Sequence, residues 1–203
     1  MKRPKIKRWE GPGTQIVARI FDAAIALRVG IEYHTAMTIR PIIIHPDPRL
    51  KKTAEPVAEV TPAIERLAED MLETMYEAPG IGLAAPQIGV LKRIFVMDCG
   101  WKEGDMTPVV CIDPEILWSS EATGEMTEGC LSIPETPATV TRPLEIRLAF
   151  TTLAGTREEH HLTGFEARCA QHEYDHLEGR VIFDRLAPDL RAALETPYLK
   201  ARA

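Results

Sequence analysis

Residues 172–176 read His-Glu-Tyr-Asp-His, so two histidines are separated by three residues, the first of which is a glutamate. On an α-helix, residues four positions apart lie one above the other on the same face, and both imidazoles can therefore bind one ion. Glu173 then lies beside the open coordination position, where its carboxylate can take a proton from a reacting water. The pattern predicts a hydrolytic metal site with His172 and His176 as ligands.

Spacing along the chain leaves the third ligand of this site open. A third histidine three residues after Gly179 is excluded, because position 182 is Ile182. Glu195 follows at a spacing that thermolysin-like enzymes use, so a zinc endopeptidase with Glu195 as third ligand is one interpretation. Cys130, which lies upstream in the segment Glu-Gly-Cys-Leu-Ser, offers a thiolate and is the other candidate.

Three segments of the chain together resemble the signature motifs of peptide deformylases, in the order and spacing of that family. They read GIGLAAPQIG at residues 80–89, EGCLS at 128–132 and QHEYDH at 171–176. The resemblance covers about residues 38–188. It implies an enzyme that hydrolyses the N-formyl group from the N-terminal formyl-methionine of nascent polypeptides and releases formate.

The same resemblance implies roles for individual residues. Three residues become the metal ligands: Cys130, His172 and His176. Glu173 becomes the general base that takes the proton of water and the acid that passes it to the leaving amine. The Gln87 side chain and the Leu131 backbone N–H become the donors to the negative charge that develops on the formyl oxygen.

Residues 80–83 are expected to contact the substrate. Gly80 and Gly82 permit close approach of a ligand backbone, because glycine has no side chain. Ile81 and Leu83 are expected to line the pocket for the methionine side chain. A peptide that lies extended beside this segment would bind by strand addition.

The ligand set bears on the identity of the metal. One thiolate with two imidazoles suits Zn²⁺ or Fe²⁺. The resemblance to bacterial deformylases implies Fe²⁺, and Zn²⁺, Ni²⁺ or Co²⁺ can occupy the same ligands.

Five further residues outside the ligand set carry hypotheses. Arg142 is expected to pair with Glu128 and to steady the segment that carries Cys130. Three histidines are expected to lie away from the catalytic metal: His45, His160 and His161.

Hydrophobic periodicity and turn signals predict the elements that position these residues. The clearest helix covers residues 61–76, where Thr61 can cap the helix and Pro62 suits its first position. The metal-binding pattern lies on a helix over 164–177, and a final helix is expected over 188–199. Strands are expected over 93–98, 108–112, 144–152 and 157–162. Short strands with few helices indicate an α+β class with mostly antiparallel sheets, and the family pattern packs them around the central metal-binding helix.

Residues 1–36 differ in charge from the rest of the chain, with seven basic residues against three acidic ones. We expect an N-terminal extension upstream of a native start at Met37, with residues 37–203 as the catalytic domain. Residues 14–29 are amphipathic, but residues 1–36 contain no serine, which disfavours a transit peptide for organellar import.

Composition narrows the class of protein further. The net charge of -6 disfavours direct nucleic-acid binding, and no apolar run approaches the ~20 residues of a membrane-spanning helix. The four cysteines form no CxxC pair, which favours free thiols in a reducing compartment. These features favour a cytoplasmic protein. The resemblance to peptide deformylases implies a bacterial enzyme that acts on formyl-methionyl nascent chains and contacts the ribosome transiently, with residues 188–203 as the candidate contact segment.

Overall fold

The computed structural model describes residues 38–202 of the 203-residue chain. The predictions for residues 1–36 and for a start at Met37 lie outside the described residues and stay predictions. No helix within the described part is long and apolar enough to cross a membrane.

The larger of the two sheets in residues 38–202 has five antiparallel strands. In spatial order they are β1 (Gly82–Ala84), β2 (Ile94–Met97), β3 (Val109–Ser119), β6 (Glu145–Thr151) and β7 (Arg157–Thr163). In β6 the buried Ile146 and Leu148 flank the exposed Arg147, which is the two-residue period of a strand with one face on the core. The strands predicted over 93–98, 144–152 and 157–162 are confirmed to within one residue at each end.

Strand β3 is longer than the prediction, which ended it at Ile112. The backbone of Asp113 has a φ of 47°, and the register against β6 shifts between Ile112 and Glu115. This irregularity interrupts the alternation of buried and exposed residues, so the sequence pattern stops while the strand continues to Ser119.

A separate two-stranded hairpin was not predicted. Its strands β4 (Thr123–Cys130) and β5 (Ile133–Pro143) pair in antiparallel register. Three prolines in β5 and two glycines in β4 obscured both strands, because these residue types are depleted in sheets. The available signal was the alternation of apolar Ala138 and Val140 with the polar Thr139 and Thr141. The first strand of the hairpin ends at Cys130.

Three α-helices complete the described fold: α1 (Pro62–Glu77), α2 (Gly164–Leu177) and α3 (Pro188–Lys200). The bounds predicted for α2 are confirmed, and α3 extends one residue further than expected. Thr61 occupies the N-cap position of α1, but its side chain accepts no hydrogen bond from the helix. The predicted side-chain cap is therefore not formed.

Helix α2 packs on the larger sheet. Its Ala167 and Ala170 are fully buried and belong to one core with Phe95 and Phe150 of the sheet. Small side chains on this face let the helix lie close to the strands. A second core joins Cys130 to Phe183 and to residues of α3. The α+β class with mostly antiparallel sheets around the helix of residues 164–177 is confirmed.

Candidate metal centre

The structure brings together the three predicted ligands. Cys130 lies at the end of β4, whereas His172 and His176 lie one turn apart on α2. One ligand atom from each residue lies within 4.8 Å of the other two, and all three side chains are buried. Cys130 Sγ is 3.3 Å from His176 Nε2. The geometry can therefore hold one ion between a strand end and a helix face.

The charge state of Cys130 suits a metal ligand. Burial alone raises the pKa of the thiol, but the neighbouring His176 and His172 outweigh burial and lower it to about 5. At neutral pH the sulfur is therefore a thiolate, which is the form that binds metals. A buried thiolate beside two imidazoles is the donor set expected for a borderline divalent ion.

A carboxylate behind His172 orients its ring. Glu128 Oε2 lies 3.0 Å from His172 Nδ1, which leaves Nε2 of that ring for an ion. The remaining ring atom of His176, Nδ1, is buried and has no hydrogen-bond partner in residues 38–202. The Nε2 side of this ring faces the Cys130 sulfur, so the residues present fit a bound divalent cation.

Two arginines hold Glu128 in place. Arg142 donates to both of its oxygens, at 2.7 and 2.9 Å, and Arg168 donates to Oε1 at 2.7 Å. Burial raises the pKa of Glu128, but hydrogen bonds from His172 and Arg142 prevail and lower it to about 2. The hypothesis of an Arg142–Glu128 pair is confirmed. Arg168 was missed, because its contact joins α2 to the hairpin that the sequence did not reveal.

Glu173 lies beside the three ligands. Its side chain is buried, its Oε2 lacks a hydrogen-bond partner within the described residues, and burial raises its pKa to about 7. A carboxyl group with a pKa near neutrality can both accept and donate a proton at physiological pH.

Gln87 presents its amide nitrogen to the same cluster. Its Oε1 accepts a hydrogen bond from the Ala84 N–H at 2.8 Å, which fixes the orientation of the amide. Its Nε2 lies 3.2 Å from Ser132 Oγ and 3.8 Å from Cys130 Sγ. Ser132 was not singled out by the sequence analysis, although it belongs to the EGCLS segment.

A cavity of about 500 Å³ opens onto the site. Its walls include Gly80, Ile81, Gly82, Leu131 and Glu173. Neither Gly80 nor Gly82 leaves room for a side chain. A Cβ on Gly82 would lie 2.8 Å from the Glu173 Cδ atom, and a Cβ on Gly80 would lie 2.8 Å from Leu131 Cδ1.

The structure does not bring Leu83 to this cavity. Its side chain is fully buried in the core and is absent from the cavity wall. Ile81 precedes β1 and reaches the cavity, whereas Leu83 lies within β1, where all three residues are buried.

Glu195 takes no part in the metal cluster. It accepts a hydrogen bond from Arg191 at 2.6 Å and contacts His45 Nε2 at 2.8 Å. His160 and His161 lie on β7 and pair with nearby glutamates. The endopeptidase interpretation with Glu195 as third ligand is therefore wrong.

Comparisons with known proteins find one family across most of the chain. A family model described as polypeptide deformylase matches residues 39–192. The peptide deformylase of Afipia carboxidovorans is 47% identical over 165 residues, which cover 81% of this chain and 96% of that protein. The peptide deformylase of Methylocella silvestris is 46% identical over 168 residues, 81% of this chain and 86% of its relative.

Solved structures give the same result. A crystal structure of a peptide deformylase from Legionella pneumophila has a TM-score of 0.75 and 38% identity, covering 81% of this chain and 96% of the other. A peptide deformylase from Ehrlichia chaffeensis in complex with actinonin has a TM-score of 0.75 and 37% identity, with coverages of 82% and 100%. Sequence and fold are thus similar to peptide deformylases over nearly the full length of those proteins.

Proposed function

The chain belongs to the polypeptide deformylase family, and we propose that Cys130, His172 and His176 bind the divalent ion with which it works. The enzyme hydrolyses the N-formyl group from the N-terminal formyl-methionine of nascent polypeptides. The observation that carries the ligand assignment is the meeting of a thiolate and two imidazoles, within 4.8 Å of one another, beside a cavity.

Glu173 is the group that moves the proton. A divalent ion held by these three residues would act as a Lewis acid that makes water nucleophilic at neutral pH. Glu173 Oε2, which is buried and without a partner among the described residues, accepts the proton of the attacking water. It then delivers this proton to the amide nitrogen, because an amine cannot leave as a bare anion.

Gln87 and Leu131 stabilise the charge on the formyl oxygen. The Gln87 amide is held from behind by the Ala84 N–H, so its Nε2 is preorganised toward the ligand cluster. The Leu131 backbone N–H is the second donor, since Leu131 follows Cys130 directly and lines the cavity. Donors fixed in this way cost no reorganisation during the reaction.

The substrate peptide lies beside residues 80–82. The close approach of Gly82 to Glu173 and of Gly80 to Leu131 leaves room on this wall for a backbone and for no added side chain. Ile81 contributes the apolar contact expected for the methionine side chain, and Leu83 supports the wall from the core.

We assign Fe²⁺ as the ion of the working enzyme, with Zn²⁺, Ni²⁺ and Co²⁺ as alternative occupants of the same ligands. The test is formate release from formyl-Met-Ala by protein loaded anaerobically with each metal in turn. The iron form should give the highest kcat/KM and should lose activity in air. An iron form that is less active than the zinc form would overturn this assignment.

The catalytic unit is contained in residues 37–203, and residues 1–36 add nothing to turnover. A chain that lacks residues 1–36 should therefore keep kcat/KM within about twofold and should keep its metal. Cytoplasmic placement and transient ribosome contact are expected because the substrate is made on ribosomes, and residues 188–203 are the candidate contact segment. Co-sedimentation of the intact enzyme with ribosomes, but not of a chain truncated after residue 187, would support that contact.

A further inference from the structure

Residues 80 and 131 line the cavity from two segments that face each other. Gly80 faces Leu131, and an added methyl group on Gly80 would lie 2.8 Å from Leu131 Cδ1. A shift of the Gly80 peptide would therefore change the distance between these two segments of the cavity wall. The groups that hold Gly80 in place thus bear on substrate binding.

The carbonyl groups of this segment are bound by residues 98–101. The Trp101 indole Nε1 donates to Gly80 O at 2.7 Å. The Asp98 N–H donates to Ile81 O at 2.9 Å. Both carbonyl groups are thereby tied to the chain that follows β2.

The Trp101 side chain is itself held in place by Tyr76. Its ring packs edge-on against the Tyr76 ring with centroids 5.3 Å apart. The Tyr76 hydroxyl donates to Asp98 Oδ2 at 2.8 Å, and the Thr107 N–H donates to Asp98 Oδ1 at 3.2 Å. The indole therefore packs on Tyr76 of helix α1, and the Asp98 carboxylate in turn holds the Tyr76 hydroxyl.

The turn that carries Trp101 also borders the cavity. Trp101–Glu103 form a short 3₁₀ turn that ends at Gly104, whose φ of 87° only glycine adopts readily. Lys102 and Glu103 line the cavity mouth. The same short segment thus touches both the entrance of the cavity and the backbone of its inner wall.

We propose that Trp101 is a positioning residue, which sets the width of the substrate cleft through its hydrogen bond to the Gly80 carbonyl. This inference rests on the proposed role of residues 80–82 in substrate binding. Trp101 contacts none of the three ligands, and neither Glu173 nor Gln87. Its effect should therefore fall on binding and leave the chemical step unchanged, which appears as a change in KM at constant kcat.

The test is the substitution Trp101→Phe, which keeps an aromatic ring on Tyr76 but removes the indole N–H. KM for formyl-Met-Ala should rise about three- to tenfold, the range of one hydrogen bond, with kcat within twofold. Binding of the product peptide Met-Ala, measured by calorimetry, should weaken by the same factor, and bound metal per chain should not change. Trp118→Phe is the matched control, because Trp118 is exposed on β3 and its ring lies edge-on to His161, far from the Gly80 carbonyl in sequence and element.

A Trp101→Phe enzyme with unchanged KM and Met-Ala affinity would overturn the inference, as would a loss confined to kcat. If this variant fails to fold, Tyr76→Phe decides, since it removes only the bond to Asp98. Its KM should rise by a smaller factor, and an unchanged KM would again overturn the inference.

Gly80→Ala separates this inference from the function on which it rests. The added methyl group narrows the cleft against Leu131, so KM should rise. If Gly80→Ala leaves KM unchanged, the substrate-binding role of residues 80–82 fails. If only Trp101→Phe leaves it unchanged, the positioning role alone fails.

Discussion

Glu128 Oε2 lies 3.0 Å from Nδ1 of His172, so one ring nitrogen of this histidine is occupied by a buried carboxylate and the other is left for an ion. A carboxylate in this position fixes the ring orientation and raises the basicity of the ligand atom. Glu128 is in turn held by Arg142 and Arg168, which keeps it ionised.

Glu128→Gln should weaken metal binding by about 10- to 100-fold, the usual effect of losing a carboxylate behind a metal-bound histidine. Competition with a chelator of known affinity measures the change. Glu125→Gln is the control, because Glu125 is exposed on the same strand and accepts a hydrogen bond from Thr141 at 3.5 Å. An unchanged metal affinity in Glu128→Gln would contradict the orienting role.

Cys130→Ala and Glu195→Ala should differ in their metal content. Cys130→Ala removes the thiolate and should leave less than one-tenth of the wild-type metal content. Glu195→Ala should keep the metal but should lower the free energy of unfolding by about 1–3 kcal/mol, because His45 loses its partner.

Metal content by atomic emission and unfolding in urea measure the two effects. Cys111→Ala is the control for loss of a buried thiol, since Cys111 lies in the main core and outside the ligand cluster. Metal lost from the Glu195 variant and kept by the Cys130 variant would reverse the ligand assignment.

The bounds of α2 could be predicted from sequence because an i, i+4 histidine pair and apolar periodicity agree on one helix. The face of α2 that carries His172 and His176 could be predicted from the sequence for the same reason. The third ligand could not be chosen by spacing alone, because Cys130 and His172 meet only through the fold. Family resemblance was needed to prefer Cys130 over Glu195.

The hydrogen bonds that hold the metal ligands and Gln87 in place were harder to predict from the sequence. Arg168 reaches Glu128 from α2 across to β4, a strand that its two glycines concealed. Ser132, which contacts Gln87, likewise carries no local pattern. Such contacts depend on where two elements cross, which periodicity along one element does not encode.

Glu173→Gln should lower kcat by about 10²- to 10⁴-fold and should leave the metal content unchanged. The amide keeps the size of the side chain but cannot accept the proton of the attacking water. Glu166→Gln is a matched control, since Glu166 is exposed on the first turn of the same helix. Loss of metal in Glu173→Gln would instead assign Glu173 to the ligands.

Gln87→Ala should lower kcat by about 10²- to 10³-fold, the cost of removing one preorganised donor to a developing oxyanion. Ser132→Ala removes the hydroxyl next to the Gln87 nitrogen and leaves that donor in place, so kcat should stay within about threefold. Steady-state kinetics on formyl-Met-Ala compares the two. Equal losses would indicate that the amide acts through local packing and makes no contact with the oxyanion.

Asp184 should stabilise the fold in a pH-dependent manner. Its carboxylate accepts hydrogen bonds from the Val181 N–H at 2.8 Å and from Arg191 at 3.0 Å, and it pairs with Lys51. Burial raises the pKa of Asp184, but Lys51 and the Val181 amide outweigh burial and lower it below its usual value of 3.8. The ionised form is therefore favoured in the folded state.

A depressed pKa means that the folded chain binds the proton less readily than the unfolded chain. The stabilisation is complete above the unfolded pKa of about 3.9 and disappears as the pH falls through the lower, folded pKa. Asp184→Asn should therefore cost about 1–2 kcal/mol at pH 6 and clearly less near pH 3. Urea unfolding of the wild-type chain and of Asp184→Asn at each pH measures the difference in their free energies of unfolding. The contributions of the other titrating groups are the same in both proteins and cancel in this difference. Asp105→Asn is the control, because Asp105 is exposed, and its effect on the free energy of unfolding should not change with pH. If Asp184→Asn lowers the free energy of unfolding equally at both pH values, the role of Asp184 does not depend on its charge.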